Sequence, residues 1–238
     1  MESQDQYITG KLTLPDHDIS FPDMWSGDSL YEYPDFLDSD HVSEILVRVE
    51  SDMHMAYPGP DTRDTNNLDG SIWCLGQNFW SLPSDDTFDD IFDPALREYM
   101  AHAYADINIR VENFCIKHLH RSPEYVLGVA TPGFNIVKSD INNTYWHTDG
   151  ALFRKMPHID YKKIISITIP IQADTDSHTE FMMSDTDTYK LMFTPGNMLI
   201  WPGRKLHRFG CQHITSDKYR ITYQCHIYDA GDRALIHF

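Results

Sequence analysis

MLIWPGRKLH, residues 198–207, divides into an apolar run from Met198 to Trp201, a Pro202-Gly203 turn and a second run that reaches His207. Four apolar residues halted by Pro-Gly are too few for a helix, so the run reads as a strand, and His207 falls on the strand after the turn. The same pattern extends in both directions. Upstream lie β-rich runs at 125–130, 134–137, 144–147, 164–171, 180–183 and 189–194, and downstream one at 219–228. Pro132-Gly133, Asn142-Asn143 and Pro195-Gly196 separate several of them. Many short strands with such punctuation predict a sandwich or barrel.

The first half reads differently. Residues 41–55 have helical spacing, with Val42, Ile45, Leu46 and Val49 on one face. Residues 94–120 predict one long helix, with Asp93 as N-cap, Pro94 in the first position and an apolar stripe through Leu96, Met100, Tyr104, Ile107, Val111, Phe114 and Leu119. Residues 1–40 are rich in Pro, Asp and Ser and read as an irregular or partly extended arm, and 57–70 as a loop. The expected architecture is mainly β with flanking helices, a β-barrel carrying an N-terminal helical elaboration. It is read as one domain: an acidic arm and helical buttress over 1–122, a barrel core over 123–228 and a C-terminal tail over 229–238.

The chain has 238 residues and a formal charge of −17, and its acidity is concentrated early. Residues 1–100 carry 22 Asp and Glu against 4 Lys and Arg, whereas 101–238 carry 14 against 15. Such a surface repels phosphate backbones, which argues against a nucleic-acid partner. The longest apolar run, 164–171, is too short to span a bilayer, and no membrane association is expected. Cys74, Cys115, Cys211 and Cys225 stand far apart without a C-x-x-C pair, which favours reduced thiols and a cytoplasmic location.

Among 13 histidines, chance His-x-acid pairs are expected, and three occur: His147/Asp149, His158/Asp160 and His178/Glu180. Residues i and i+2 of a strand point to the same face, so such a pair can supply two ligands of a 2-His-1-carboxylate metal site, with a third from a neighbouring strand. His147 ends an aromatic strand-like run, and Gly150 after Asp149 permits a sharp exit. His158 follows Met156-Pro157 and enters from a loop, and His178 lies among Asp174, Asp176 and Ser177, also loop-like. His147 and Asp149 are therefore the favoured pair and His207 the third ligand. Arg220 and Thr222 share one face of the strand that follows. The four residues His147, Asp149, His207 and Arg220, in this order, are far more specific than any one of them.

Three pieces, WHTDG at 146–150, PGNMLIWPGRKLHRFG at 195–210 and YRITY at 219–223, make segment 125–228 resemble the Fe(II)/2-oxoglutarate-dependent dioxygenases, in their phytanoyl-CoA hydroxylase-like and prolyl hydroxylase-like branches. The resemblance implies a double-stranded β-helix (jelly-roll, cupin-like) of about eight core strands behind N-terminal helices. It implies that His147, Asp149 and His207 hold Fe(II), and that Arg220, helped by the Thr222 hydroxyl, takes the distal carboxylate of 2-oxoglutarate. It further implies an enzyme that couples decarboxylation of 2-oxoglutarate by O₂ to oxidation of a C–H bond in a small molecule, an amino acid or natural-product intermediate among the candidates. Related halogenases replace the carboxylate ligand with a small residue, so Asp149 favours hydroxylation, desaturation or cyclisation. Residues 1–122 carry no such resemblance.

Other residues carry two readings each. Tyr145 and Asn143 share the face of His147 and are candidates for hydrogen bonds to 2-oxoglutarate or substrate, against a core aromatic and a turn residue. Gln224 and His226 share the face of Arg220, with core packing favoured, whereas Trp146 has opposite parity and is expected outside the barrel. Arg154, Lys155, Lys162 and Lys163 form a basic island that reads as a solvated face or as a site for a substrate carboxylate, with Arg154 and Lys155 the candidates. The competing functions are a cupin-type metal enzyme without a keto acid and a non-catalytic barrel serving as a binding module.

Overall fold

A computed structural model describes residues 12–13, 20–58, 72–76, 94–126, 133–137, 146–149, 160–210 and 219–237. Before the first long helix come β1 (Leu12–Thr13), α1 (Phe21–Ser26) and β2 (Tyr31–Tyr33). Residues 20–40 are thus more ordered than their composition suggests. Ser20 caps α1 by accepting from the Asp23 N–H, Pro22 sits in the first turn, and Phe21 and Met24 are buried, as a short capped helix requires.

Helix α2 (Ser39–Asp52) begins at Asp38, whose carboxylate accepts from the His41 N–H at 2.9 Å, and passes into a 3₁₀ turn at Met53–Met55. The helix expected over 94–120 is two, α3 (Pro94–Ala103) and α4 (Ala105–His118), broken at Tyr104 with φ −119° and ψ 28°. Tertiary contacts explain the break. The Tyr104 ring packs on Phe134 at 4.7 Å, its hydroxyl donates to Asp52 at 2.9 Å, and Arg48 donates to the Ala103 carbonyl. Full burial of such a side chain is worth about 1.5–3 kcal/mol, against a net ~0.5–1.5 kcal/mol for a backbone hydrogen bond. The expected cap Asp93 lies outside the described residues.

The strands that follow are β3 (Tyr57–Pro58), β4 (Ile72–Leu75), β5 (Ser122–Tyr125), β6 (Gly133–Val137), β7 (Ile164–Gln172), β8 (His178–Met182), β9 (Thr188–Met192), β10 (Met198–Pro202), β11 (His207–Gly210), β12 (Arg220–Asp229) and β13 (Arg233–His237). β3 and β4 pair with each other although the first was expected as loop. The stretch expected as a tail forms β13, an antiparallel partner of β12. Gly231, at φ 94°, turns the chain between them while its N–H donates to Asp229.

Among the described residues, one sheet has ten strands in the order β1-β2-β10-β7-β12-β6-β4-β3, with β13 joined to β12 and β5; the other has three, β11-β8-β9. Pairing is antiparallel except for β1 with β2 and β5 with β13. β7 separates two cores. Its outward Ile165, Ile167, Ile169 and Ile171 join Ile45, Val49, Met100, Ile107 and Phe114 of the helices. On the other side of the large sheet, Leu199 and Trp201 of β10 pack with Phe181 and Leu191 of the small sheet. Among the described residues, no helix is long and apolar enough to cross a membrane.

Candidate metal centre

The Pro202-Gly203 turn that divides the opening motif also anchors the site. The Gly203 N–H donates to the Ile164 carbonyl at 2.9 Å, and its own carbonyl accepts from the Asp149 N–H at 2.9 Å. A Cβ at Gly203 would lie 3.0 Å from Ile164 Cγ2, so this close approach favours glycine. Beyond the turn, His207 opens β11 and forms an antiparallel bridge with His147, each N–H donating to the other's carbonyl at 2.9 Å. Directly opposed residues of such a bridge project from the same face. The two imidazole centroids lie 4.4 Å apart.

Asp149 completes the cluster. One ligand atom from each of His147, Asp149 and His207 lies within 4.8 Å of the others. His207 Nε2 is 3.4 Å from Asp149 Oδ2, and His147 Nε2 is 3.9 Å from Asp149 Oδ1. His207 Nδ1 donates to the Lys205 carbonyl at 2.8 Å, which leaves the lone pair on Nε2, the nitrogen that faces Asp149. Burial pushes the His207 pKa down, although Asp149 opposes this, and so favours the neutral, ligating imidazole. Burial alone would raise the Asp149 carboxyl, but His207, His226, His147 and the Ser166 hydroxyl outweigh it and hold the pKa at about 2. An ionised carboxylate and imidazole lone pairs converging on one point fit a divalent transition metal.

Sequence reasoning did not single out Ser166. Its hydroxyl donates to Asp149 Oδ2, and His226 Nδ1 lies 3.0 Å from Ser166 Oγ. The signal was present in IISITI, where Ser166 and Thr168 alternate with isoleucines and mark the face of β7 turned from the helices. His226 was read as core packing. It is indeed buried, but it belongs to the surroundings of Asp149.

The acidic members of the other two His-x-acid pairs are engaged elsewhere. Asp160 caps the 3₁₀ turn at Tyr161–Lys163 by accepting from the Lys162 N–H, while His158 lies outside the described residues. His178 does not sit in a loop; it opens β8, buried opposite Gly210. Glu180 accepts from Arg208 Nε at 2.7 Å and from the Thr188 hydroxyl at 2.7 Å. The Arg208 guanidinium lies 4.3 Å from the Trp146 ring centre, in keeping with Trp146 opposing His147 in parity.

Arg220 and Thr222 are both buried on β12. The Arg220 guanidinium lies 5.2 Å from the Phe209 ring centre, and that ring is 6.3 Å from the His207 ring. Asn135 Nδ2 donates to Gln224 Oε1 at 2.6 Å across the neighbouring strand. Of the basic island, Lys162 is exposed and Lys163 lies 5.9 Å from the Trp25 ring centre. Tyr145, Asn143, Arg154 and Lys155 lie outside the described residues.

The fold and cluster define a mainly β protein, its sheets largely antiparallel, that carries a His-Asp-His set of metal-ligand atoms. No protein-family model matches the chain, and no curated protein matches it. Among solved structures, the chain is similar to the non-haem alpha-ketoglutarate-dependent epimerase SnoN from nogalamycin biosynthesis, at 11% identity and a TM-score of 0.49, over 87% of this chain and 83% of that one. It is similar to a Pseudomonas putida prolyl-4-hydroxylase at 12% identity and a TM-score of 0.47, over 86% and 94% of the two chains. The carbocyclase SnoK, also from nogalamycin biosynthesis, aligns at 11% identity with a TM-score of 0.47, over 90% and 94%.

Proposed function

We propose that the chain is a non-haem Fe(II) oxygenase that uses 2-oxoglutarate and O₂ to oxidise a C–H bond of a small molecule. The observation that carries this reading is the His147–His207 bridge, which brings two imidazoles and the buried Asp149 carboxylate to one point. His147, Asp149 and His207 would hold Fe(II), a ligand set suited to a metal that also takes a keto acid and O₂. When bound, iron and 2-oxoglutarate would supply the oxidising power, with one oxygen atom of O₂ entering succinate as CO₂ leaves.

The chain's own residues bind and orient. Arg220 is buried, and its planar fork is suited to the distal carboxylate of 2-oxoglutarate, with Thr222 two residues on. Phe209, between Arg220 and the histidines, and Phe181 and Trp201 against His207 make an apolar wall that excludes water from the reacting bond. Tyr145 and Asn143 belong to this reading as polar contacts to cosubstrate or substrate, and Arg154 and Lys155 as contacts to a substrate carboxylate. The jelly-roll closure of the two sheets, a single domain over 1–238 and a cytoplasmic setting are parts of the same proposal.

Anaerobic titration with Fe(II) and then 2-oxoglutarate tests it. The expected result is the weak visible charge-transfer band of the chelate. Iron binding without that band would favour a metal enzyme that does not use a keto acid. Absence of iron binding would favour a non-catalytic binding barrel.

A further inference from the structure

Four residues lie side by side across adjacent strands of the large sheet. Trp201 of β10 faces Ser166 of β7, Ser166 faces His226 of β12, and His226 faces His237 of β13. Cross-strand partners share a face, so the row forms a continuous strip beneath the metal cluster. The Trp201 ring lies 5.2 Å from that of His207, and the His226 and His237 rings lie 5.3 Å apart at an interplanar angle of 31°.

Hydrogen-bond direction along the strip is determined by chemistry. The Ser166 hydroxyl donates to Asp149 Oδ2, and this uses its single proton. The Ser166 oxygen then accepts, and the donor 3.0 Å away is the Nδ1–H of His226. The result is a directed chain from His226 through Ser166 to Asp149, in which His226 and Ser166 sit on paired strands and the Asp149 N–H is bonded to the Gly203 carbonyl. Oδ2 thus takes the Ser166 proton 3.4 Å from His207 Nε2, while Oδ1 lies 3.9 Å from His147 Nε2.

We infer that Ser166 and His226 are positioning residues that hold the Asp149 carboxylate in the orientation in which it meets His147 and His207. This rests on the reading of His147, Asp149 and His207 as a metal site. Neither residue belongs to the ligand set of His147, Asp149 and His207. Ser166 fixes the carboxylate's rotation, and His226 fixes the direction in which the Ser166 proton points. Partners that orient ligands in this way change metal affinity roughly ten- to a hundredfold when removed.

The test uses the intact chain and Co(II) alone, followed by its visible ligand-field bands under anaerobic titration. Ser166→Ala is expected to weaken Co(II) binding roughly ten- to a hundredfold and to change the band pattern. Ser166→Thr, which keeps the hydroxyl on a β-compatible side chain, should restore both. His226→Leu should weaken binding, and His226→Asn, whose amide N–H falls near the place of Nδ1–H, should recover it. Wild-type affinity and bands in Ser166→Ala, or a Ser166→Thr variant as weak as Ser166→Ala, would overturn the proposal. Should Ser166→Ala fail to fold, the His226 pair decides: equal affinity in His226→Leu and His226→Asn overturns it. The underlying reading has a separate control, because Co(II) binding unchanged in Asp149→Ala would remove the metal site itself.

Discussion

His147 and His207, sixty residues apart in sequence, exchange both of their backbone hydrogen bonds at 2.9 Å. The geometry of the candidate metal centre is therefore as rigid as the bridge that carries it, and Asp149 is tied to the turn before His207 by its own backbone bond.

His147→Ala, Asp149→Ala and His207→Ala are each expected to abolish turnover and to weaken iron binding, whereas His158→Ala should leave both intact. Each of the first three removes one ligand of a set of three. Iron titration alongside a turnover assay checks this. An active His147→Ala beside an inactive His158→Ala would mean that the other His-x-Asp pair holds the metal.

Arg220→Lys should weaken 2-oxoglutarate binding by about 1.5–3 kcal/mol, roughly ten- to a hundredfold. Lysine keeps the charge but replaces two parallel hydrogen bonds with a point contact on a flexible stem. Iron affinity without the keto acid should stay the same, since no ligand is touched. Calorimetry of the two binding steps decides, and equal 2-oxoglutarate affinities would remove Arg220 from the site.

On the opposite face of the bridge, Trp146 immediately precedes His147 and Arg208 immediately follows His207, and Glu180 binds Arg208. Burial would raise the Glu180 carboxyl, but the Thr188 hydroxyl and Arg208 outweigh it and hold it below the ordinary value of 4.5. A carboxylate with a depressed folded pKa stabilises the fold above its unfolded pKa and loses that contribution as pH falls through the folded value. Glu180→Gln should therefore lower stability at neutral pH by about 1–3 kcal/mol, and the gap to wild type should close as pH drops well below 4.5. Denaturant unfolding of both proteins across that range is the measurement. A gap independent of pH would mean that the ion pair contributes nothing there.

Replacing Arg154 or Lys155 with alanine should raise KM for the prime substrate and leave 2-oxoglutarate affinity unchanged. Loss of a charged hydrogen bond is worth about 1.5–3 kcal/mol. Steady-state kinetics on a substrate found by mass-spectrometric screening gives the comparison. Unchanged kinetics in both variants would return these residues to the solvated face.

Local periodicity and turn chemistry by themselves determined the strand character of 134–137, 164–171, 180–183, 189–194, 198–201 and 219–228, the buried faces of α2, α3 and α4, and the selection of His147, Asp149 and His207 as candidates. Each is set within a few residues by side-chain alternation, helical spacing or turn chemistry. Tertiary structure alone decided the kink at Tyr104, which depends on Phe134, Asp52 and Arg48 far along the chain. It also decided the recruitment of Tyr31–Tyr33 and Arg233–His237 as strands, since segments this short become strands only through their partners. The Ser166–His226 link to Asp149 belongs with these. Alternation shows which face Ser166 occupies, but which residues stand opposite it follows from strand register, and register is fixed by packing between distant segments.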